Sequence, residues 1–184
     1  QKDANQSIIR LTKIFEEIYL ISKHFQERNI KCIFLKGSAL SMFYYKDFLD
    51  RDMIDIDILI EPSQIKYAYF SLINNGYAVS KNDSVKISNI KNEDFLEYHI
   101  KKSHQLPPVL SKSNISIEFH HRVTLKKDFD LCPLSKDILN NAVQKEIRGT
   151  EIYVPADKDM VRHLIIHFLI NNNGSDGLRL IKDL

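Results

Sequence analysis

Two aspartates inside a run of isoleucines constrain this chain more than any other feature of its 184 residues. Residues 54–60 read IDIDILI. The strict alternation is typical of a β-strand with the isoleucines on one face and Asp55 and Asp57 on the other. Asp is rare in strands, and two carboxylates about 7 Å apart on one face repel each other unless a positive charge lies between them. The pattern therefore predicts a strand that presents both aspartates to a divalent metal ion.

Composition limits the class of protein. The chain is 43% hydrophobic and 27% charged, as in globular proteins of one domain or a compact pair. Its net charge of +2 is too small to indicate non-specific nucleic-acid binding, and no apolar run reaches the 18 residues that a membrane span needs. Cys32 and Cys132 lack metal or redox spacing, which favours reduced thiols in a cytoplasmic protein.

The periodicity of apolar residues predicts helices and strands in a definite order. A helix is predicted over 4–28, where Ile8, Leu11, Ile14, Phe15, Ile18, Ile21 and Phe25 form one stripe. Strands are predicted at 30–35, 54–60 and 114–121, and residues 78–113 give only weak strand signals. A short helix is predicted after residue 36, and a second helix from Pro62 to Asn74 that stops at Asn75-Gly76. In the C-terminal part we predict a helix over 134–143 and a hairpin over 145–155 that turns at Gly149. A helix over 156–171 with Asp157 as N-cap and a final helix from about 175 complete the prediction.

This order predicts an α/β or α+β core with a helical C-terminal part. We divide the chain into an N-terminal helix over 1–29 that packs on the core, a core over 30–125, and a mostly helical part over 126–184. The chain starts without Met and ends in a helical pattern, so we expect some of the natural protein to be missing.

A second motif predicts a phosphate site. In FLKGSAL, residues 34–40, a strand leads into Gly37 and Ser38 at the start of a helix. Glycine allows a ligand to approach the backbone closely, and a helix N-terminus offers unpaired N–H groups to phosphate. The hydroxyl of Ser38 adds another donor. Lys36 and Arg51 are candidates to neutralise phosphate charge, although strand alternation would turn Lys36 away from the face of Leu35 and Gly37.

A third motif supplies another carboxylate. Glu118 lies between Ile117 and Phe119 in a predicted strand, where it could hold a second metal ion, accept a proton or pair with a buried cation. His120 shares its strand face and is either a substrate or phosphate contact or a structural histidine. His163 and His167 lie on one helix face; a zinc site is possible in principle, but a packed histidine or an acceptor contact is favoured, and no structural zinc is expected.

The ordered set of these motifs resembles the DNA polymerase beta-like nucleotidyltransferase superfamily. The string FLKGSALSMFYYKDFLDRDMIDIDILI is similar to a bacterial family described as uncharacterised nucleotidyltransferases, which has a Leu-Lys-Gly motif and an Arg shortly before Asp-x-Asp. IEFHH and RHLIIHFLIN followed by GLRLIKDL also resemble that family. The resemblance covers most of residues 30–184.

The resemblance implies a polymerase-beta-like core, a mixed sheet flanked by helices, and roles for single residues. Gly37 and Ser38 would hold the triphosphate, and Asp55 and Asp57 would coordinate Mg²⁺. Glu118 would stand as the third carboxylate and metal ligand. Because the superfamily more often has Asp there, its role as base or only as ligand stays open. Asp183 is either a surface or capping acid or part of the site.

The function expected from this resemblance is a Mg²⁺-dependent nucleotidyltransferase, with Mn²⁺ as a substitute ion. It would transfer NMP from an NTP such as ATP to a hydroxyl or phosphate and release pyrophosphate. A small molecule or peptide acceptor ranks first, and a tRNA or protein acceptor, as in toxin–antitoxin nucleotidyltransferases, ranks second. The alternatives are a non-catalytic nucleotide-binding or regulatory module and a plain interaction domain. Base preference, acceptor and oligomeric state are not specified by the sequence.

Overall fold

A seven-stranded mixed sheet lies at the centre of the computed structural model, which describes residues 2–80, 93–124, 133–171 and 177–184. Its strands are β1 (Cys32–Phe34), β2 (Asp55–Ile60), β3 (Ala78–Val79), β4 (Val109–Leu110), β5 (Ser116–His120), β6 (Val143–Ile147) and β7 (Thr150–Val154). The order across the sheet is β3-β4-β5-β2-β1-β7-β6. β2 and β5 run parallel, as do β1 and β7, and the other pairs are antiparallel. The predicted α/β class with a mixed sheet is confirmed.

Helices flank this sheet. They are α1 (Lys2–Gln26), α2 (Lys36–Phe43), α3 (Ile65–Asn74), α4 (Glu93–Lys102), α5 (Leu134–Asn141), α6 (Asp157–Ile166) and α7 (Gly177–Asp183), and a π-helical turn (His167–Asn171) continues α6. Among the helices of the described ranges, none combines the length and the apolar character that a membrane crossing requires. The predicted boundaries at residues 29 and 125 remain predictions.

The apolar stripe of α1 packs on the sheet as predicted, except at its start. Leu11, Ile14, Ile18, Ile21 and Phe25 are buried, whereas Ile8 is 44% exposed. The prediction for Ile8 is wrong because the contact between α1 and the core begins one turn later, at Leu11. Past the end of α1, Asn29 adopts a positive φ of 54°, and the amide of Ile30 donates to the carbonyl of Phe25. This left-handed residue turns the chain into β1.

The predicted start of α3 is wrong, and its predicted stop is confirmed. Residues 62–64 form a turn, so α3 begins at Ile65 rather than at Pro62. Gly76 has a φ of 94° and ends α3 as expected, with the amide of Tyr77 bonded to the carbonyl of Leu72.

The predicted N-cap of α6 is also wrong, because Ala156 is the N-cap. Asp157 instead accepts a hydrogen bond of 2.6 Å from the hydroxyl of Tyr44, which ties α6 to the segment after α2.

The predicted hairpin is confirmed, and it extends the main sheet. Arg148 and Gly149 have φ angles of 52° and 75°, the two positive values that a tight two-residue turn requires. β6 and β7 pair on either side of this turn, and β7 joins the sheet beside β1. The hairpin therefore widens the sheet that carries the aspartates.

The two faces of the sheet bury different clusters. Ile56, Ile58 and Ile60 of β2 pack in the larger cluster, which also contains the stripe of α1. Leu59 packs with Leu134 and Ile138 of α5 in a smaller cluster. Because side chains alternate along β2, Asp55 and Asp57 share the face of Leu59. The carboxylates thus lie on the face covered by α5, opposite α1.

Candidate active site

The predicted carboxylates come together on neighbouring parallel strands. Asp57 in β2 is in register with Glu118 in β5, and Asp55 is in register with Ser116. Ligand atoms of Asp57, Glu118 and His120 all lie within 4.8 Å of one another. Asp55 lies two residues before Asp57 on the same strand face and lines the same cleft. Strands distant in sequence thus build one acidic site.

Lys36 reaches into this site directly. Its Nζ lies 2.7 Å from Oδ1 of Asp57, and its side chain is 18% exposed. The prediction that strand alternation turns Lys36 away is wrong, because β1 ends at Phe34 and Lys36 adopts a positive φ of 44°. For a residue with a Cβ this left-handed conformation is strained, and it redirects the side chain toward Asp57.

His120 contacts the same carboxylate oxygen. Its Nε2 lies 2.8 Å from Oδ1 of Asp57 and 3.6 Å from Oε2 of Glu118, and the residue is buried. Since a carboxylate only accepts, the imidazole N–H donates to Asp57. Burial lowers the pKa of His120, but the hydrogen bonds to Asp57 and Glu118 outweigh it and raise the pKa above its ordinary value. Oδ1 of Asp57 therefore accepts from two protein donors.

The pKa values of the two aspartates are shifted in opposite directions. Burial and the neighbouring charges of Asp57 and Glu118 raise the pKa of Asp55 to about 6. Burial would also raise the pKa of Asp57, but Lys36 and His120 overcome it and hold that pKa well below its usual range. Asp57 therefore stays ionised. At Asp55, the nearby positive charge is too small to offset burial and the charges of the neighbouring carboxylates.

This excess of negative charge favours the binding of a divalent cation. Carboxylate oxygens are the hard ligands that Mg²⁺ and Mn²⁺ prefer. Burial, together with the charges of Asp57 and Glu118, raises the pKa of Asp55 more than the charge of Lys36 lowers it. Asp55, Asp57 and Glu118 are therefore suited to hold the ion that the sequence predicted. His163 and His167 fall outside the group of candidate metal ligands found in the described part of the chain.

The two residues of the predicted phosphate loop lie at different depths. Gly37 lines the cleft, where a Cβ would meet that of Met53 at 3.2 Å. The close fit explains why a glycine stands there. Ser38 is buried behind it, and its Oγ has no hydrogen-bond partner within the described ranges. The cleft wall therefore contains Gly37 but not the hydroxyl of Ser38.

Arg51 pairs with the C-terminal helix. Its Nε and Nη2 donate to the two carboxylate oxygens of Asp183 at 2.7 and 2.8 Å, and Nη1 donates to the carbonyl of Asp52 at 2.6 Å. The hydroxyl of Tyr45 also donates to Asp183, at 2.7 Å. Both charged side chains are almost fully buried. Arg51 thus anchors α7 beside the cleft, a role that the sequence prediction missed because no local pattern links residues 132 positions apart.

The C-terminal part supplies further lining residues of the cleft. The cleft has a volume of about 310 Å³, and Leu164, His167, Phe168 and Leu180 line it. His167, a predicted acceptor or phosphate contact, therefore faces the cleft. His163 is buried one turn earlier, and burial lowers its pKa well below the ordinary value, so it packs as a neutral ring.

Comparisons with known proteins identify the family of this chain. A search of curated proteins finds no match. Among solved structures, the chain is similar to an antigenic nucleotidyltransferase-like protein from Paracoccidioides brasiliensis, with 11% identity, a TM-score of 0.47, and coverage of 96% of this chain and 76% of that one. The model of the family described as uncharacterised nucleotidyltransferase matches residues 1–184. The chain therefore belongs to this uncharacterised nucleotidyltransferase family.

Proposed function

We propose that the protein transfers a nucleoside monophosphate from an NTP to a hydroxyl or phosphate acceptor in a reaction that requires Mg²⁺ or Mn²⁺. The observation that carries the proposal is the meeting of Asp55, Asp57 and Glu118 on one sheet face, in a cleft that also contains Lys36 and Gly37. Membership of the nucleotidyltransferase family supports the same reaction class.

In this reaction an acceptor oxygen attacks the α-phosphorus of the NTP. A new oxygen–phosphorus bond forms, the bond from the α-phosphorus to the bridging oxygen breaks, and pyrophosphate leaves. A divalent cation held by Asp55, Asp57 and Glu118 would neutralise phosphate charge and align the reacting oxygens. These carboxylates repel one another, and a cation bound between them would reduce that repulsion.

The chain's own residues then have separate tasks. Lys36 carries a positive charge at the edge of the carboxylate group, where it can contact phosphate oxygens while Asp57 keeps its ammonium protonated. Gly37 lets the triphosphate approach the backbone of α2. Glu118 is the more accessible carboxylate, with a side chain 24% exposed against 7% for Asp57, and is the candidate to accept the acceptor's proton.

The test uses the purified chain with Mg²⁺ or Mn²⁺, each α-labelled NTP in turn, and a cell extract as the source of acceptors. We expect label to appear in a new species with the native protein and not with Asp57→Asn. Glu97→Gln, which changes an exposed carboxylate on α4, is the matched control and should retain transfer. The chemical class of the labelled species identifies the acceptor, for which a small molecule or peptide ranks before a tRNA or protein.

Equal transfer by the native chain and Asp57→Asn would reject the metal role of this carboxylate. Metal-dependent NTP binding without transfer to any acceptor would instead identify a non-catalytic nucleotide-binding module. Neither binding nor transfer would reject the proposal as a whole. Glu118→Gln separates base from ligand, because loss of a proton acceptor lowers the rate more than it lowers affinity for the metal-bound NTP.

A further inference from the structure

The candidate active-site cleft has two chemically different sides. The sheet side carries charged groups, namely Asp55, Asp57, Glu118 and Lys36. The side formed by the C-terminal part carries three apolar side chains, Leu164, Phe168 and Leu180, beside His167 and Asp183. An NTP is divided in the same way, into a polyanionic triphosphate and a planar base with apolar faces. If the triphosphate lies at the carboxylates, the base is directed to the apolar side.

Phe168 is placed to meet a base there. Leu164, His167 and Phe168 are spaced i, i+3 and i+4, so they lie on one helical face, and all three line the cleft. Phe168 is half-buried, in the π-helical turn that continues α6. Its neighbour Leu169 is 62% exposed and does not line the cleft. π-helical turns at the end of or within α-helices occur frequently at functional sites.

One polar group of this wall, the carboxylate of Asp183, is engaged within the protein. Asp183 accepts from Arg51 through both carboxylate oxygens and from the hydroxyl of Tyr45. This network fixes α7, and with it Leu180, as a second apolar surface of the cleft. Phe168 and Leu180 offer apolar contact to the faces of a base and no hydrogen bonds to its edges. Contact of this kind accepts all four bases, because every base has an aromatic face.

We infer that Phe168 stacks on the nucleobase of the NTP, so that the C-terminal part supplies a base subsite of low selectivity that favours the larger purines. The inference rests on the proposed function, since it assumes that the triphosphate binds at the carboxylates. It adds the residue that contacts the base and the reason why discrimination among NTPs is weak.

The composition of the chain permits a direct optical test, because the sequence contains no tryptophan. Phe168→Trp would introduce a single indole into the wall of the cleft, and Leu169→Trp would place one on the outer side of the same turn. The probes are inorganic tripolyphosphate and an ATP analogue with a methylene group between the α- and β-phosphates, each with Mg²⁺ and without an acceptor. The analogue cannot undergo transfer, so the signal reports binding alone.

We expect the ATP analogue to quench the fluorescence of Phe168→Trp, whereas tripolyphosphate binds without quenching it and Leu169→Trp responds to neither. Phe168→Ala should weaken the ATP analogue about tenfold and leave the affinity for tripolyphosphate unchanged. GTP, CTP and UTP analogues should bind within about tenfold of the ATP analogue, with the purines tighter.

The outcomes separate the two proposals. If both probes bind the native chain but Phe168→Ala weakens them equally, or the analogue does not quench Phe168→Trp, the base subsite is rejected and the proposed function stands. If neither probe binds the native chain in the presence of Mg²⁺, the proposed function fails and the base subsite fails with it. A preference for one NTP of more than a hundredfold would also overturn the inference, because stacking alone does not discriminate that strongly.

Discussion

At the scale of single residues, the site depends on how one carboxylate oxygen is shared. Oδ1 of Asp57 accepts from both Lys36 and His120, so Asp57 is held ionised and fixed in position. Around Asp55, burial and the charges of Asp57 and Glu118 outweigh the charge of Lys36 and a backbone hydrogen bond, and its pKa rises to about 6. One aspartate is thus neutralised by the protein, and the other is available to an added cation.

Loss of Lys36 should destabilise the metal-free protein. Lys36→Gln leaves Asp57 buried with only His120 as a donor, and we expect the free energy of unfolding to fall by about 3 kcal/mol. Urea unfolding in EDTA measures the change. Lys66→Gln, which removes a lysine from the exposed pair with Glu97, is the matched control and should cost much less. A loss no larger than that of the control would show that Lys36 does not compensate the buried aspartate.

Loss of the Asp55 charge should have the opposite effect, and the effect should depend on pH. The pKa of Asp55 is about 6 in the folded protein against an ordinary value of 3.8, so the folded state holds the proton more tightly than the unfolded chain. The protein therefore loses stability from this group as pH rises from about 4 to about 6. We expect metal-free Asp55→Asn to be about 1–3 kcal/mol more stable than the native chain at pH 8.

At pH 4 the two proteins should differ little, because Asp55 is then protonated in the folded state. Urea midpoints at both pH values in EDTA provide the test. A variant that is less stable than the native chain at pH 8 would show that Asp55 is not under repulsion. In the presence of Mg²⁺ the order should reverse, since the native chain alone keeps the full set of carboxylates.

At the scale of secondary-structure elements, the Arg51–Asp183 pair holds α7 beside the cleft. The sequence predicted α7 and named both residues as site candidates, but in separate roles. Lys182 strengthens the same contact, because its Nζ donates to the carbonyl of Asp50 at 2.8 Å. We therefore expect Arg51 to act on nucleotide binding by positioning α7, in addition to any charge that it presents to phosphate.

A double-mutant cycle distinguishes positioning from direct phosphate contact. Arg51→Gln and Asp183→Asn should each cost about 2–4 kcal/mol of stability and weaken binding of the ATP analogue by similar factors, with the double variant little worse than either. Urea unfolding and equilibrium binding measure the two effects, and hydrogen exchange of α7 amides shows whether the helix has loosened. If Arg51→Gln weakens nucleotide binding while Asp183→Asn leaves it intact, Arg51 is a phosphate ligand and not an anchor.

The elements that sequence patterns predicted are those with a strong local signal. The alternation of β2, the long stripe of α1 and the Arg148-Gly149 turn each depend on residues close in sequence. The helix α4 was not predicted within the weak 78–113 pattern, because its apolar residues Phe95, Leu96 and Ile100 become a helix face through packing on the core. The orientation of Lys36 was predicted wrongly because it follows from a single positive φ, which the alternation of side chains along a strand does not predict. The carboxylates were found because strand period alone fixes their face.

At the scale of the whole molecule, the cleft lies between the sheet and the C-terminal part. A ligand that contacts both sides should stabilise the protein more than a ligand that contacts only one. With Mg²⁺ present, a hundredfold excess of the ATP analogue over its dissociation constant should raise the free energy of unfolding by about 2.7 kcal/mol. Thermal or urea unfolding measures this increase, which should disappear in Asp57→Asn at the same ligand concentration. An equal increase in that variant would mean that the nucleotide binds elsewhere.

The pairing of β2 with β5 has a consequence for how the site arises during folding. Asp57 and Glu118 are direct neighbours in the sheet although 61 positions separate them in the chain. A parallel pair of this separation cannot form by a local turn, and closing so long a loop opposes early pairing. Metal affinity should therefore appear only after β2 and β5 have joined, so that binding of Mn²⁺ during refolding reports the completion of the central sheet and not the formation of its helices.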